Sequence, residues 1–461
     1  MSASASPRAA AHCALPDTPL ARASAGLDAC VHCGFCLQAC PTYVNLEDEN
    51  DSPRGRLVLM RRLLDGDIPL DDPTVADHID RCLGCRACET ACPSGVPYGD
   101  LLEATRATMA PVRRLPVVAR LVLGLFKQPQ LLRAVLVGAR VFRATRIPHL
   151  LARVLPPRLA FPMAMIASTT PALRGRRAGA PARRYPPAPA SAAAVAAASS
   201  TASATATATA SPTAATGTSA TCLTGCVMSG LFSHVNSATE RVLAHNGFVL
   251  RTTRAQGCCG ALHAHAGDLD SARALARINV AAFEKSGADV IAVNSAGCGA
   301  MLKQYGHLLQ DDAAWAERAA RVSARTRDVS ELLATVGPVT GTVPVPLRVT
   351  HDPPCHQMHA QRVVTPPLAV LGAVAGLSLV PLEDADQCCG SAGIYNLVEP
   401  DTSDAVLAPK LDRIAESGAD WVATGNPGCM MQIGAGLLRR GSLARVVHPI
   451  ELLDASYRHR A

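Results

Sequence analysis

The sequence predicts a mixed fold of the α+β and α/β classes, in which a mostly helical N-terminal domain is joined to a duplicated α/β domain with parallel strands. One cysteine pattern occurs twice before residue 93, and a second pattern occurs twice after residue 222. The second pattern is set among segments that read alternately as strand and helix, which is typical of α/β domains. Each helical crossover returns the chain to the same edge, so the strands are expected to pair in parallel.

Composition limits the class of protein. The 461 residues leave room for about three domains. Apolar residues make up 49%, charged residues 18%, and the mean hydropathy is +0.17, which excludes wholesale disorder and a fibrous repeat. The 18 cysteines fall far below the roughly 8–10% of a disulfide scaffold, so a chemical role is the better interpretation.

The chain is expected to be cytoplasmic. It starts MSASASPRAA, without a basic stretch followed by an apolar one, so no secretory signal peptide is predicted. Its longest apolar stretches are interrupted by Arg120, Lys127 and Arg133 and are shorter than the roughly 18 residues of a membrane span. Cysteines in such a reducing compartment are expected to be thiols or metal ligands.

One segment is strongly basic. Arginines lie in it with almost no acids, at positions 113, 114, 120, 133, 140, 143, 146, 153, 158, 174, 176, 177, 183 and 184. Such a segment predicts an acidic partner or peripheral contact with the cytoplasmic face of the membrane, and no nucleic-acid partner is expected.

Composition and motifs divide the chain into seven parts. After Arg184 the next 37 or so residues, rich in Ala, Ser, Thr and Pro, carry no charge, which is typical of a tether. The predicted parts are a flexible N-terminal arm (1–23), a two-cluster domain (24–110), a basic helical segment (111–177), a linker (178–221), a first cysteine repeat (222–310), a helical connector (311–346) and a second cysteine repeat (347–461).

Eight N-terminal cysteines form two runs of C-x2-C-x2-C-x3-C-P. This is the two-cluster ferredoxin pattern, in which the fourth cysteine of each run ligates the other cluster. Zinc is the alternative, but zinc needs neither the third interposed cysteine nor the closing proline. We therefore predict two [4Fe-4S] clusters, one held by Cys30, Cys33, Cys36 and Cys92, the other by Cys82, Cys85, Cys88 and Cys40.

The C-terminal repeat places its cysteines after predicted strands. Both copies contain a Cys-Cys-Gly and, further on, an SGAD whose Asp lies nine positions before another cysteine. The carboxyl ends of parallel strands meet at one edge, where open α/β folds bind ligands. A further metal cluster is one interpretation; zinc, or buried thiols beside a tight turn, are the others. The candidate ligands are Cys226, Cys258, Cys259, Cys298, Cys355, Cys388, Cys389 and Cys429.

No catalytic residues are predicted. There is no G-x-G-x-x-G after a strand, no GxxxxGK[ST] and no convincing Ser/His/Asp order. Without a flavin or nicotinamide motif the chain is expected to carry electrons rather than oxidise an organic substrate unaided.

The motifs resemble the iron–sulfur subunit of glycolate oxidase (glycolate dehydrogenase). The residues that carry the resemblance are CVHCGFCLQACPTY, DSPRGR, DRCLGCRACETACPSGVPY, NSAGCGAMLKQYG, CHQMHAQ and CCGSAGIY. The resemblance implies a ferredoxin-like dicluster domain with a duplicated CCG domain. It also implies an FAD-binding subunit that oxidises glycolate, a second flavoprotein-like subunit, and electron transfer towards the quinone pool.

Other families share this plan and remain alternatives. They are the lactate-utilisation iron–sulfur protein, the iron–sulfur subunit of anaerobic glycerol-3-phosphate dehydrogenase, and the CCG subunit of heterodisulfide reductase. The last family closes each cysteine set with CxxC, whereas Met301 and Gln432 stand at those positions here. Four thiolates per half therefore remain, for one or two further iron–sulfur clusters.

Overall fold

The protein is described from a computed structural model that covers residues 13–171, 173 and 217–458. The predictions for the start of the arm and for most of the linker, 178–216, lie outside these residues.

The N-terminal domain is helical, as predicted. Prolines at the first positions of several helices lie where the missing N–H costs no hydrogen bond. Ser52 and Asp72 cap two of these helices by accepting hydrogen bonds from backbone N–H groups in the first turn. The helices are α1 (Pro19–Arg22), α2 (Ala25–Asp28), α3 (Pro41–Leu46), α4 (Pro53–Asp65), α5 (Pro73–Asp80), α6 (Ala87–Ala91) and α7 (Tyr98–Met109), with a 3₁₀ turn at Glu49–Asp51.

The predicted flexible arm is wrong for the part that the structure describes. The α1 side chain Leu20 is fully buried with Met60 and Leu101 in the domain core. The Leu20 backbone N–H also donates to Thr108 Oγ1 (3.0 Å). Burial of this single leucine fixes a segment whose small and polar neighbours read as unstructured.

Two four-stranded parallel sheets follow, one in each repeat. Their orders are β2-β1-β3-β4 and β6-β5-β7-β8, so the halves share one topology. The strands are β1 (Ser219–Cys222), β2 (Val249–Leu250), β3 (Val290–Val293), β4 (Thr326–Asp328), β5 (Arg348–His351), β6 (Ser378–Val380), β7 (Trp421–Ala423) and β8 (Arg445–Val447).

The basic segment and the repeats supply the remaining helices. In the basic segment these are α8 (Val117–Phe126), α9 (Pro129–Ala144), α10 (Ile147–Val154) and α11 (Pro157–Ser168). In the first repeat they are α12 (Val227–Leu231), α13 (Ser233–His245), α14 (Ala261–Ala266), α15 (Leu269–Ser286), α16 (Ala296–Lys303), α17 (Tyr305–Leu308), α18 (Ala316–Arg325) and α19 (Val329–Val336). In the second they are α20 (Pro366–Gly372), α21 (Tyr395–Val398), α22 (Pro400–Glu416), α23 (Pro427–Arg439) and α24 (Pro449–Tyr457), with a π-helical turn at His356–Ala360.

The structure adds to the predicted division of the chain at three points. The connector 311–346 is not only helical, because β4 pairs in register with β3 and completes the first sheet. The second sheet likewise ends in β8, which pairs with β7 inside the predicted second repeat. The first strand begins at Ser219, inside the predicted linker. β4 (TRD) has no apolar side chain and β8 (RVV) has only two, so neither is recognisable as a strand from the sequence.

The two repeats form one packed unit. Ala220 and Ala292 of the first half pack in one apolar cluster with Val349 and Trp421 of the second. His448 joins the halves, because its Nε2 contacts Asn294 O (3.0 Å) while its Nδ1 accepts from the Ile450 N–H (3.2 Å).

None of the individual helices among the described residues has the length and apolarity needed to cross a bilayer. Helices α8 and α9 meet those criteria only when taken together, and a bend of 108° separates them.

We predict that the contact made by His448 is sensitive to pH. Burial lowers the pKa of this ring to about 4. As the pH falls from about 6.5 to 4, the unfolded chain binds a proton that the folded chain excludes, which lowers the free energy of unfolding by up to about 3 kcal/mol. In H448Q this contribution disappears, so urea unfolding of the variant should depend less steeply on pH over that interval.

The comparison is made between variant and native chain at each pH, because buried Glu451, whose pKa is raised to about 7, contributes with the opposite sign. Equal pH slopes for the two chains would contradict the prediction.

Candidate functional site: a series of cysteine-lined cavities

The first cysteine run lies in a loop between α2 and α3. Gly34 has φ +84°, a left-handed conformation in which a side chain would be strained. The run closes at Cys40, which is the N-cap residue of α3, with Pro41 at the first helical position. The loop lines one side of a small cavity before the helix begins.

The second run is built in a similar way. Gly84 and Arg86 both have positive φ, and Cys88 lies inside the short helix α6, with Cys92 at its C-cap. The Gly84 N–H donates to Cys82 Sγ (3.4 Å) and the Tyr98 hydroxyl donates to the same sulfur (3.6 Å). Such hydrogen bonds stabilise negative charge on a thiolate.

Two small cavities gather the eight N-terminal cysteines. One is walled by Cys40 from the first run together with Cys82, Cys85 and Cys88 from the second. The other is walled by the remaining three cysteines of the first run, by Cys92 and also by Cys88. The structure thus brings together each set of four that the interleaved assignment requires.

A buried cation lies beside the first of these cavities. The Arg56 guanidinium is fully buried; it pairs with Asp51 (3.0 Å) and donates from Nε to His78 O (2.7 Å). Burial alone would lower the pKa of Arg56, but the Cys82 and Cys40 sulfurs and Asp51 raise it above its usual range. The DSPRGR sequence therefore supplies fixed positive charge next to sulfur rather than a solvated helix start.

The eight cysteines of the repeats line one larger cavity. Its volume is about 320 Å³, and it lies where the carboxyl edges of the two sheets face each other. The sequence predicts that these cysteines lie at the carboxyl edge of the strands in each half. The structure shows that the edges of both halves line the same cavity. The wall contains Cys226, Cys258, Cys259, Cys298, Cys355, Cys388, Cys389 and Cys429, together with Cys85 of the N-terminal domain.

The thiols of the first half form a hydrogen-bonded set. Cys226 donates to Cys258 (Sγ to Sγ, 3.8 Å), and hydrogen bonds from Cys226 and Cys259 hold the pKa of Cys258 well below its usual range. A bond from Cys259 likewise lowers the pKa of Cys298. These hydrogen bonds thus favour the thiolate form of Cys258 and Cys298.

The second half differs in its charge environment. Hydrogen bonds with neighbouring cysteines, followed by burial, set the pKa of each of its four thiols, and all four values are raised. A buried lysine, Lys410, forms an ion pair with Asp352 (3.0 Å). Burial would lower the pKa of Lys410, but Asp352 and the Cys355 and Cys389 sulfurs raise it. The corresponding positions of the first half hold uncharged Asn279 and Leu223.

The glycine after each Cys-Cys pair is required by helix packing. Gly260 and Gly390 have φ of +89° and +81°. A Cβ on Gly390 would lie 2.6 Å from Ser403 O in α22, and a Cβ on Gly260 would lie 3.2 Å from Ala272 O in α15. The absence of a side chain at these two glycines therefore lets the following helix approach closely.

The second cysteine run of the N-terminal domain packs against the repeats and is held there by hydrogen bonds. Arg106 donates to Cys82 O (2.7 Å) and also to His265 O (2.8 Å) of the first repeat. From the second repeat, His356 Nε2 contacts Gly84 O (3.0 Å) and the Tyr395 hydroxyl donates to Arg81 O (2.8 Å). These bonds hold Cys85 against the large cavity.

Several residues in or beside the cavities were not identified from the sequence. Ser391 directly follows Cys388-Cys389-Gly390; its hydroxyl is buried at the large cavity and has no partner among the described residues. Lys410 and Asp352 lie 58 positions apart, and only the fold reveals that they pair. Tyr98 stands in the motif VPY, whose tyrosine could have been noted as a buried hydroxyl six residues after Cys92.

Two remaining cysteines lie away from these cavity walls. Cys222 ends β1 and packs against the apolar core, where burial raises its pKa to about 12. Cys13 is exposed. At the two closing positions, Met301 is buried in the first core, and Gln432 is held by hydrogen bonds with Asn396 (2.8 Å) and Ser403 (2.9 Å).

Comparison with known proteins agrees with this arrangement. The model of a 4Fe-4S dicluster domain matches residues 26–96, and that of a cysteine-rich domain matches 220–303 and 349–434. The chain is 33% identical over 447 residues to the probable glycolate oxidase iron-sulfur subunit of Bacillus subtilis, covering 94% of both chains. The chain belongs to the glycolate oxidase iron–sulfur subunit family.

Two further proteins are similar to this chain. The glycolate oxidase iron-sulfur subunit of Escherichia coli is 32% identical over 436 residues, 93% of each chain. Lactate utilization protein A of an Exiguobacterium species is 31% identical over 230 residues, which is half of this chain and 94% of that protein. As in other members of the family, the cofactors of the dicluster domain are iron–sulfur clusters.

The residues on the cavity walls fit that cofactor class. Cluster irons are bound by cysteine thiolates, four to a cluster. One small cavity offers four thiols, the other offers four and shares Cys88 with the first, and each half of the large cavity offers four more. The partnerless Ser391 hydroxyl and the Asn426 Nδ2 donor to Cys429 Sγ (3.4 Å) are further groups able to hydrogen-bond to sulfur.

We predict that iron content reports the interleaved ligand sets. C85S removes one ligand from a single set, so the anaerobically prepared chain should lose about four iron atoms relative to the native chain. C13S, which alters an exposed thiol, is the control and should retain all iron. Equal iron in C85S and C13S would contradict the assignment.

We also predict that the ion pair in the second half is required for stability. K410M leaves the Asp352 carboxylate buried without its cation, which should lower the free energy of unfolding by about 3–5 kcal/mol. K285M, at an exposed lysine on α15, should change it little. The double variant K410M/D352L removes both charges and should recover most of the loss; no recovery would mean that the pair is not the cause.

Proposed function

We propose that this chain is the electron-transfer subunit of a glycolate-oxidising complex. Electrons enter from an FAD-binding subunit that oxidises glycolate, in an assembly that includes a second flavoprotein-like subunit, and leave towards the quinone pool. The complex works in the cytoplasm, at the inner face of the membrane. The proposal extends to this chain the activity named for its full-length relatives.

Continuity of the cysteine sites is the observation that supports the proposal. Cys88 lies on the walls of both small cavities, and Cys85 lies on the walls of one small cavity and of the large one. Cys85 also packs in one apolar cluster with Cys355 and Cys388. Three adjacent sites therefore run from the N-terminal domain into the repeats.

The residues of the chain provide the environment that conduction needs. Iron–sulfur clusters take up and release single electrons at potentials set by burial, charge and hydrogen bonds to sulfur. Arg56 supplies buried positive charge beside Cys40 and Cys82. Gly84 and Tyr98 donate hydrogen bonds to Cys82, and burial of Cys88 keeps water away from it.

The cysteines of the repeats are proposed as ligands of one or two further clusters. Each half presents four thiols to one space, and Ser391 adds a buried hydroxyl that lacks a partner among the described residues. The closing residues Met301 and Gln432 provide no fifth thiolate, which argues against a cluster of the disulfide-reducing type.

Lactate is the second candidate substrate for the complex. It is favoured by the identity with lactate utilization protein A, but that relative aligns with only half of this chain. Glycolate is preferred because the glycolate oxidase subunits align over more than nine-tenths of it. No substrate site is proposed on this chain itself.

We predict that C33S separates the two half-reactions of the complex. Substrate should still reduce the partner flavin, but quinone reduction by the assembled complex should fall by at least about tenfold, since a ligand of the outermost site is lost. Stopped-flow flavin absorbance and quinone reduction are measured on the same preparation, with C13S as control. Loss of flavin reduction in C33S would show that this subunit shapes the substrate site and would contradict the proposal.

A further inference from the structure

Helices α8 to α11 carry an apolar outer face. Nearly half of the large apolar side chains that are exposed in the described residues lie on these four helices. Exposed fractions reach 69% at Leu121 and 65% at Val154. The outer face consists of Val117, Val118, Leu121, Leu131, Val135, Val137, Val141, Ile147, Leu150, Val154 and Leu159. So many exposed apolar side chains on four consecutive helices mark an interaction site.

Unpaired positive charge lies on the same helices. No aspartate or glutamate occurs between Glu103 and Glu240. Five exposed arginines of this segment have no acidic partner among the residues that the structure describes: Arg120, Arg133, Arg140, Arg146 and Arg153. They leave positive charge available to an anionic surface.

The opposite, inner side of the layer formed by α8 to α11 packs against the repeats. Val122, Phe126 and Met165 face the large cysteine cavity. Helix α9 packs on α12 of the first repeat, and α11 packs on α23 of the second. The layer thus closes the cavity from one side and spans both repeats, while its other side is covered by no described residue.

We propose that the outer face binds an anionic lipid surface. Amphipathic helices rich in arginine lie in the plane of the membrane interface with aliphatic side chains inserted among the headgroups. The 108° bend between α8 and α9 suits helices that lie along a surface. Protein interfaces are instead enriched in aromatic side chains and depleted of charge at their centre. The exposed apolar set here is wholly aliphatic and interspersed with arginine.

Docking in this orientation has a consequence for the cavity. Because Val122, Phe126 and Met165 separate the cysteines from the outer face, the cavity would lie directly above the headgroups. A lipid-soluble electron acceptor would then approach the repeats from the membrane side. The lipid contact rests on the part of the proposed function that places the complex at the membrane, but it can be measured without turnover, so its failure is distinguishable from loss of electron transfer.

Vesicle binding of the full chain with its clusters tests the proposal. Sedimentation with phosphatidylcholine vesicles, with and without phosphatidylglycerol, measures partitioning. We expect binding only when phosphatidylglycerol is present. The variant R133Q/R140Q should weaken binding about tenfold, because each basic residue near an anionic surface contributes severalfold. The variant L121S/L131S/L150S should weaken binding at least as much, because its apolar insertion is reduced.

Matched controls change the same kinds of residue elsewhere. K285Q/R254Q removes two exposed charges, and L443S removes the leucine that is 88% exposed; both should bind like the native chain. Iron content and circular dichroism establish that every variant is folded.

The proposal is overturned if the outer-face variants bind vesicles as well as the controls do. It is equally overturned if those variants keep full vesicle binding but no longer assemble with the flavin subunit, or if they convert a dimer of this chain to a monomer. Those outcomes would assign the face to a protein partner or to a second copy.

Discussion

Burial of many thiols in a small space is the constraint on which the structure depends. The sheets are parallel, so every strand end delivers its cysteines to one edge, and the two edges share one cavity. Hydrogen bonds to neighbouring cysteines and desolvation raise the pKa of most of these thiols, and neighbouring thiolates would repel one another. A metal cluster removes both costs, because ligation releases the protons and supplies positive charge.

The two halves are related in topology but not in electrostatics. In the first, hydrogen bonds among the cysteines lower the pKa values of Cys258 and Cys298. In the second, Lys410 and Asp352 place a compensated ion pair beside thiols whose pKa values are raised. Duplication has thus kept the cysteine positions while the surroundings diverged, and it is the second half that contacts Cys85.

Much of this arrangement could be predicted from the sequence. Spacing alone pairs Cys40 with the second run and Cys92 with the first, and the strand–helix alternation places the repeat cysteines at one sheet edge. The strands β4 and β8 could not be predicted, since β4 (TRD) has no apolar side chain and β8 (RVV) has only two. Tertiary packing, which local sequence patterns do not encode, determines three other features. These are the shared cavity between the two halves, the Lys410–Asp352 ion pair and the burial of Leu20.

The central claim is that the interleaved thiols of the N-terminal domain hold iron and sulfide. The most direct measurement is electron paramagnetic resonance of the anaerobically prepared native chain after reduction by dithionite, with iron and acid-labile sulfide determined on the same sample. The account predicts signals of reduced [4Fe-4S] clusters and at least about eight iron atoms per chain. A silent spectrum from a chain almost free of iron would contradict it.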